Sequence, residues 1–208
     1  MTPTESINRV SSEAVKKATG KTWDEWLNIL DDEGAKKMDH KHIVKLLARK
    51  KYVTNAWWQQ QVTVGYETAR GLRAAGETAD AGFEIGVQKT LPLPVQKVWK
   101  LITSPEGLKI WLGNAPRFSL VVGHNFRTPD GTSGQIRVVS ENHHIRLTWC
   151  PQDWKYATTL QVRLTPRENK TMINFHHEKL AGGREREMMR RHWRHVLEQL
   201  EELAGNGK

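Results

Sequence analysis

TMINFHHEKLAGGREREMMRRHWRHVLEQLEEL, residues 171–203, changes its repeat in the middle. Up to Leu180, Ile173, Phe175 and His177 alternate with Asn174, His176 and Glu178, the two-residue repeat of a strand with one face turned inward. Beyond Gly182-Gly183, Met189, Trp193, Val196, Leu200 and Leu203 recur at helical spacing opposite Arg190, Arg191, Arg194 and Glu201, the stripe of an amphipathic helix. Such a helix is long enough to cross a whole sheet and cover its apolar face.

Working back from this stretch, the same two-residue alternation recurs in Leu160/Val162/Leu164, Ile145/Leu147/Trp149, Gly134/Ile136/Val138 and Phe118/Leu120/Val122. Turn residues separate most of these runs: Pro166-Arg167-Glu168-Asn169, Glu141-Asn142 and Pro129-Asp130-Gly131. Short strands joined by short turns predict an antiparallel meander. Ahead of it, Phe83, Ile85 and Val87 predict another strand. Pro94 then opens a helix with Val95, Val98, Trp99 and Ile102 on one face, and Ser104-Pro105 starts a shorter one with Leu108, Trp111 and Leu112. A twisted antiparallel sheet must cover its apolar face, and the C-terminal helix is the long amphipathic element at hand. The predicted class is α+β: a curved antiparallel sheet gripping a long C-terminal helix.

The first third reads differently. Ile7, Val10, Ala14, Val15 and Ala18 predict a helix over residues 5–18, with Gly20 as its C-terminal cap. Thr22 and Glu25 form a capping box before the stripe Trp23, Trp26, Leu27 and Leu30; Asp39 caps a third helix, and Asn55 opens a fourth containing Trp58, Val62, Ala69 and Leu72. Residues 73–82, RAAGETADAG, are small and polar without apolar periodicity, a linker signal. The expected organisation is a helical accessory domain over 1–76 and a helix-grip domain over 77–208.

Composition narrows the setting. With 38% hydrophobic residues and nine tryptophans, the chain of 208 residues has apolar mass for packed cores. The one cysteine, Cys150, has no partner for a disulfide or a cysteine-based metal site, so a reducing compartment is expected. The N-terminus lacks the pattern of a secretion signal and no stretch approaches the ~20 apolar residues that span a bilayer, which makes the cytoplasm the expected location. Of the net charge of +9, most arises between residues 36 and 51, where seven cations face the single acid Asp39.

The motifs carry a resemblance. Residues 83–204 resemble the SRPBCC or START-like superfamily, and within it the family named for the activator of heat-shock protein 90 ATPase. The resemblance rests on FEIGVQKTLPLPVQKVWKLITSPEGLKIWLG (83–113), TMINFHHEKL (171–180) and REREMMRRHWRHVLEQLEEL (184–203). Residues 16–73, with KATGKTWDEWLNILDDEGAKKMDHKHIVKLL and AWWQQQVTVGYETARGLR, are similar to a bacterial domain family of unknown function. The superfamily resemblance implies a helix-grip fold that binds lipids, steroids or polyketides, cyclises substrates or assists chaperones; a chaperone or other protein is therefore an implied partner.

Candidate site residues follow from facing. Trp111, Trp149, Phe175, His177, Met189 and Trp193 point inward on these patterns and would line an apolar cavity between sheet and helix; the plain alternative is that they are core. His177 is the one plausible titrating group inside, and it needs either a hydrogen-bond partner or a ligand. The expected function is a non-catalytic binding protein for a small hydrophobic ligand or, as the resemblance implies, a chaperone-associated module. The alternative is a cyclase-like or hydrolytic enzyme using the same cavity, and a further one is nucleic-acid binding through residues 36–51 beside Trp57 and Trp58. Nucleic acid is not the expected partner, because basic residues at 37, 41 and 45 are spaced like a solvated helix face and both tryptophans read as bundle core. The pair His192/His195 lacks a third ligand, and Cys150 lacks a base, so no catalytic residue, metal or cofactor is assigned.

Overall fold

The computed structural model describes residues 4–74, 77–78 and 82–206, so the predicted linker falls partly outside the described residues. The chain divides into two compact units, Met1–Ala75 and Gly76–Lys208.

Unit one begins with a hairpin, β1 (Ser6–Ile7) and β2 (Val10–Ser11), where a helix was predicted from residue 5. Asn8 and Arg9 turn it with positive φ of 50° and 67°. The spacing of Ile7 and Val10 mimics a helix, but Ser11 begins the helix instead, its side chain accepting from Ala14 N. Helix α1 (Ser12–Thr19) ends at Gly20, in the left-handed region at φ 80°. Then α2 (Trp23–Asp32) starts with the capping box of Thr22 and Glu25, and α3 (His40–Arg49) and α4 (Ala56–Ala69) are capped by Asp39 and Asn55. Val15, Trp23, Trp26, Leu30, Ile43, Leu47, Val62 and Tyr66 form the core. Gly65 lets α4 pass the Trp23 ring, because a Cβ there would lie 2.4 Å from it. Two expectations fail here. Trp57 is 57% exposed, since adjacent residues on a helix point about 100° apart and only Trp58 packs against the core; and α4 stops at Ala69, leaving Leu72 exposed.

Unit two is a six-stranded antiparallel sheet with helices, an α+β helix-grip arrangement. Its strands are β3 (Phe83–Leu91), β4 (Asn125–Arg127), β5 (Ser133–Ser140), β6 (His144–Trp149), β7 (Thr158–Arg167) and β8 (Lys170–Leu180), in the order β3-β8-β7-β6-β5-β4. The last five form a meander, and β3 closes beside β8. Helices α5 (Val95–Thr103) and α6 (Pro105–Trp111) follow β3; Pro105 sits in the first turn of α6, and Ser104 accepts from Gly107 N. Gly107 is required there, because a Cβ would come 1.9 Å from the Leu101 carbonyl oxygen. Helix α7 (Gly183–Asn206) packs against β3, β8, α5 and α6.

Register places the predicted inward faces in rows. Ile85, His177, Leu160, Leu147 and Ile136 align across the sheet, and Val87, Phe175, Val162 and Ile145 form the next row. The strand predicted at Phe118/Leu120/Val122 does not form. Those residues pair with no strand ladder, Val121 and Val122 stand exposed at a turn, and the edge strand begins only at Asn125. Alternation reports which way side chains face, not whether a neighbour is present to pair.

Candidate functional site

The six residues predicted to line a cavity come together from four elements, β6, β8, α6 and α7. Trp149 on β6 and Phe175 and His177 on β8 project from the sheet, Met189 and Trp193 from α7, and Trp111 from α6; each is at most 6% exposed. Their rings pack closely. Phe175 and Trp193 stack at 4.8 Å between centroids with planes 12° apart, Trp149 meets Trp193 edge-on at 5.6 Å, and Trp111 meets Phe175 at 6.2 Å.

His177 is the polar centre of this cluster, and every one of its hydrogen-bonding atoms is used. Trp193 Nε1–H donates to His177 Nδ1 at 3.1 Å, which leaves the ring proton on Nε2. Nε2–H then donates to Thr158 Oγ1 at 2.7 Å, and the Thr158 hydroxyl donates to the Trp149 carbonyl at 2.7 Å. The chain runs indole, imidazole, hydroxyl, backbone carbonyl, each group donating to the next. Burial, with His192 and His176 adding to it, drives the His177 pKa down to about 3. At neutral pH the imidazole is uncharged, held in one tautomer, and has no free lone pair for a substrate proton.

Trp149 has the opposite status. Among the described residues its Nε1 is the one buried side-chain nitrogen or oxygen without a hydrogen-bond partner. Strand alternation points to Trp149 but carries no sign of the loop beside it. In residues 151–157, between β6 and β7, Trp154 stacks on His177 at 6.2 Å with planes 23° apart, and the Tyr156 hydroxyl donates to the Glu185 carboxylate of α7 at 3.0 Å. Trp154 also lines an open cleft of about 910 Å³ with Asp153, Arg184, Glu185, Met188 and Arg191. The signal available in the sequence was Trp154 and Tyr156 standing in a turn-like segment after Pro151, apolar rings with no strand to belong to. Thr158, which completes the hydrogen-bond chain, carried no signal without the register.

The other candidates lie apart. Cys150 is half-buried, its Sγ facing the carbonyls of Trp154 and Tyr156 at 3.6 and 3.5 Å. His195 pairs with Glu198 at 3.9 Å, His176 lies 3.1 Å from Glu178, and His143 and His144 share a hydrogen bond between their Nδ1 atoms. No group of three or more His, Cys, Asp or Glu among the described residues is placed to hold a metal ion. No helix among them is long and apolar enough to cross a membrane. In unit one the basic segment is partly spent inside the fold, with Lys36 on Asp31 at 3.5 Å and Lys50 on Glu33, while Lys45 and Arg49 border a groove floored by Met38 and Leu46.

A six-stranded antiparallel sheet closed by a long C-terminal helix, with an aromatic interior between them, defines a START-like helix-grip protein. The profile of the family described as activator of Hsp90 ATPase homolog 1-like protein matches residues 92–205, more than half of the sequence, and the chain belongs to that family. Comparison with curated proteins returns no match. Among solved structures, DynU16, a protein in the dynemicin biosynthetic locus, superposes with a TM-score of 0.55 at 18% identity, covering 60% of this chain. The match spans about half, 48%, of that structure. Protein MLL2253 of Mesorhizobium loti gives 0.54 at 22% identity over 60% of this chain and 98% of its own. PFC0360w, an HSP90 activator from Plasmodium falciparum, gives 0.51 at 22% identity over 60% and 97%. At these identities the likeness is one of fold.

Proposed function

We propose that residues 77–208 form a non-catalytic binding domain that takes a small apolar ligand between the sheet and α7, and that residues 1–76 are a separate helical accessory domain. The observation that carries this reading is His177. An enzyme of the cyclase or hydrolase kind needs an acid or base poised near working pH. The one titratable side chain within the aromatic cluster is held neutral, with a pKa near 3 and both nitrogens engaged, so the interior offers surface and shape instead of proton transfer. Trp111, Trp149, Phe175, Met189 and Trp193 supply that surface, and burying apolar ligand area against them is worth roughly 25 cal/mol per Å² before the cost of association.

A thermal-shift screen of apolar and amphipathic compounds tests this. Ligands are expected to raise Tm and perturb tryptophan emission, and Met189→Trp is expected to abolish both effects while the protein stays folded. A wild type that no compound stabilises, together with a Met189→Trp variant destabilised by the ~1–3 kcal/mol of an overpacked core, would refute the reading. Turnover of a bound compound that disappears in His177→Ala would replace it with the enzymatic one. The domain division has its own test: brief proteolysis is expected to cut between residues 73 and 82 and release two stable pieces, and cutting inside the sheet instead would refute it.

A chaperone partner is a second reading, suggested by the family's description and by one surface feature. Val121 and Val122 are 61% and 59% exposed side by side beside the edge strand β4, an apolar pair free for a protein partner. Stimulation of an Hsp90-type ATPase by this chain, lost in Val121→Asp, would support it.

A further inference from the structure

The cluster and the cleft share one residue, Trp154, and the cluster holds one unsatisfied donor, Trp149 Nε1. Resting on the binding reading above, we propose that Trp149 Nε1–H is the anchoring donor of the site, that residues 151–157 carrying Trp154 are its door, and that the ligand is an apolar molecule bearing a neutral hydrogen-bond-accepting oxygen, such as a ketone carbonyl.

The anchor follows from accounting for donors. A buried indole N–H without an acceptor costs stability that folding does not return, and native interiors satisfy nearly all such groups. Around it the other polar groups are closed to a newcomer: Trp193 Nε1–H is committed to His177, His177 Nε2–H to Thr158, and the Thr158 hydroxyl to the Trp149 carbonyl. Trp111 Nε1–H is committed to the Ile102 carbonyl at 2.8 Å. One donor remains, so the ligand needs one acceptor. The acceptor is neutral because the cluster contains no cation: His177 is uncharged, and a carboxylate pushed among these rings would be buried without a counter-charge. The guanidinium groups of Arg184 and Arg191 lie at the cleft outside, where water reaches them.

The door follows from what holds the loop. Residues 151–157 belong to no strand; Trp154 packs on the edge of the core, and the hydrogen bonds that hold the loop include a turn bond from Trp154 N to the Pro151 carbonyl, the long contacts of Cys150 Sγ and the exposed Tyr156–Glu185 bond. Swinging Trp154 off His177 opens the cleft onto the cluster without breaking a rung of the sheet.

The matched probes are 1-tetralone and tetralin, which share a carbon frame and differ in the carbonyl oxygen. The wild type is expected to bind the ketone about tenfold more tightly than the hydrocarbon, the worth of one buried hydrogen bond, and to shift the Trp149 indole proton downfield in the NMR spectrum only with the ketone. In Trp149→Phe, which keeps a ring and removes the donor, the two compounds are expected to bind alike, at the level of tetralin in the wild type. Tyr156→Phe is expected to speed association of both probes while leaving the ketone preference intact. Equal binding of the probes by the wild type with no indole shift overturns the anchor and leaves the apolar site standing. An unchanged association rate in Tyr156→Phe overturns the door. If neither probe nor any compound of the broader screen binds, the site itself is refuted and this inference falls with it. The NMR shift and the probe ratio are read on the wild type, so they decide the anchor even if Trp149→Phe does not fold.

Discussion

Both units are built around tryptophan, and they treat the indole N–H differently. In unit one Trp23 Nε1 donates to the Val10 carbonyl at 2.9 Å and Trp26 Nε1 to Thr19 Oγ1 at 2.8 Å, both partners being close in sequence. In unit two Trp193 donates to an imidazole, and Trp149 donates to nothing among the described residues. A core that closes every donor on a nearby acceptor is finished as folded. A core that keeps one donor open has polar capacity left over, and the proposed binding reading of unit two rests on that difference.

The comparison is most severely tested by Trp193→Ala. Its ring stacks on Phe175, meets Trp149 and holds the His177 tautomer, so truncation is expected to cost about 3–5 kcal/mol in denaturant unfolding of unit two. A loss below about 1 kcal/mol would show the cluster to be loose, not a continuous wall.

Acid separates the units next. The His177 pKa falls from its ordinary value near 6.5 to about 3 on folding, so below pH 6.5 the unfolded chain binds the proton the folded one refuses. Stability from this group is therefore complete above pH 6.5 and is lost as pH falls toward 3, by at most about 1.4 kcal/mol per pH unit. His144, also lowered by burial, pushes in the same direction. In unit one the shifted groups are carboxylates: Asp31, held low first by the hydrogen bonds from Arg70 and then by Tyr66, and Glu33, held low by Lys50 and Tyr52. Their contribution is present above the carboxylate range and goes only as pH drops through it. Between pH 6.5 and 4.5 the protection factors of core amides, corrected for the intrinsic pH dependence of exchange, are expected to fall in unit two before unit one, and His177→Gln is expected to flatten the difference. Equal loss in both units would mean that His177 is protonated in the folded state.

The smallest expected effect is the sharpest. Trp23→Phe breaks a hydrogen bond and strands the Val10 carbonyl, costing about 1–3 kcal/mol, whereas Trp149→Phe removes a donor that had no partner and is expected to cost under about 1 kcal/mol. Equal costs, read from urea midpoints, would place an acceptor on Trp149 in the free protein.

Much of this was legible in the sequence, for identifiable reasons. Strands such as Ile145–Leu147–Trp149 and Ile173–Phe175–His177 announced themselves because a sheet with one covered face must alternate, and α7 because its stripe is long and unbroken. The hairpin at Ser6–Ser11 was hidden by residues whose spacing fits a helix, although Asn8, an amino acid tolerant of positive φ, sat at its turn. For the site, facing was readable and partnership was not. That His177 points inward follows from alternation; that Thr158 and Trp193 complete its hydrogen bonds depends on the register of β7 against β6 and β8 and on the rotation of α7, which no local pattern encodes. Trp154 escaped because loop residues have no period to read.

The pairing of β3 with β8 has a consequence for synthesis. Leu91 meets Thr171, so about 80 residues must follow β3 before its partner exists. At the usual 5–20 residues per second, β3 waits roughly 4–16 s as a lone apolar segment on the ribosome, and the sheet closes only once β8 has been made. Unit one precedes β3 in the chain and is made before it. Non-local closure of this kind is slow to find its register and exposed to mispairing while it waits. Lys89, standing among the apolar positions Ile85, Val87 and Leu91, and Glu84 and Gly86, off that face, are expected to keep the waiting strand from pairing with another copy of itself.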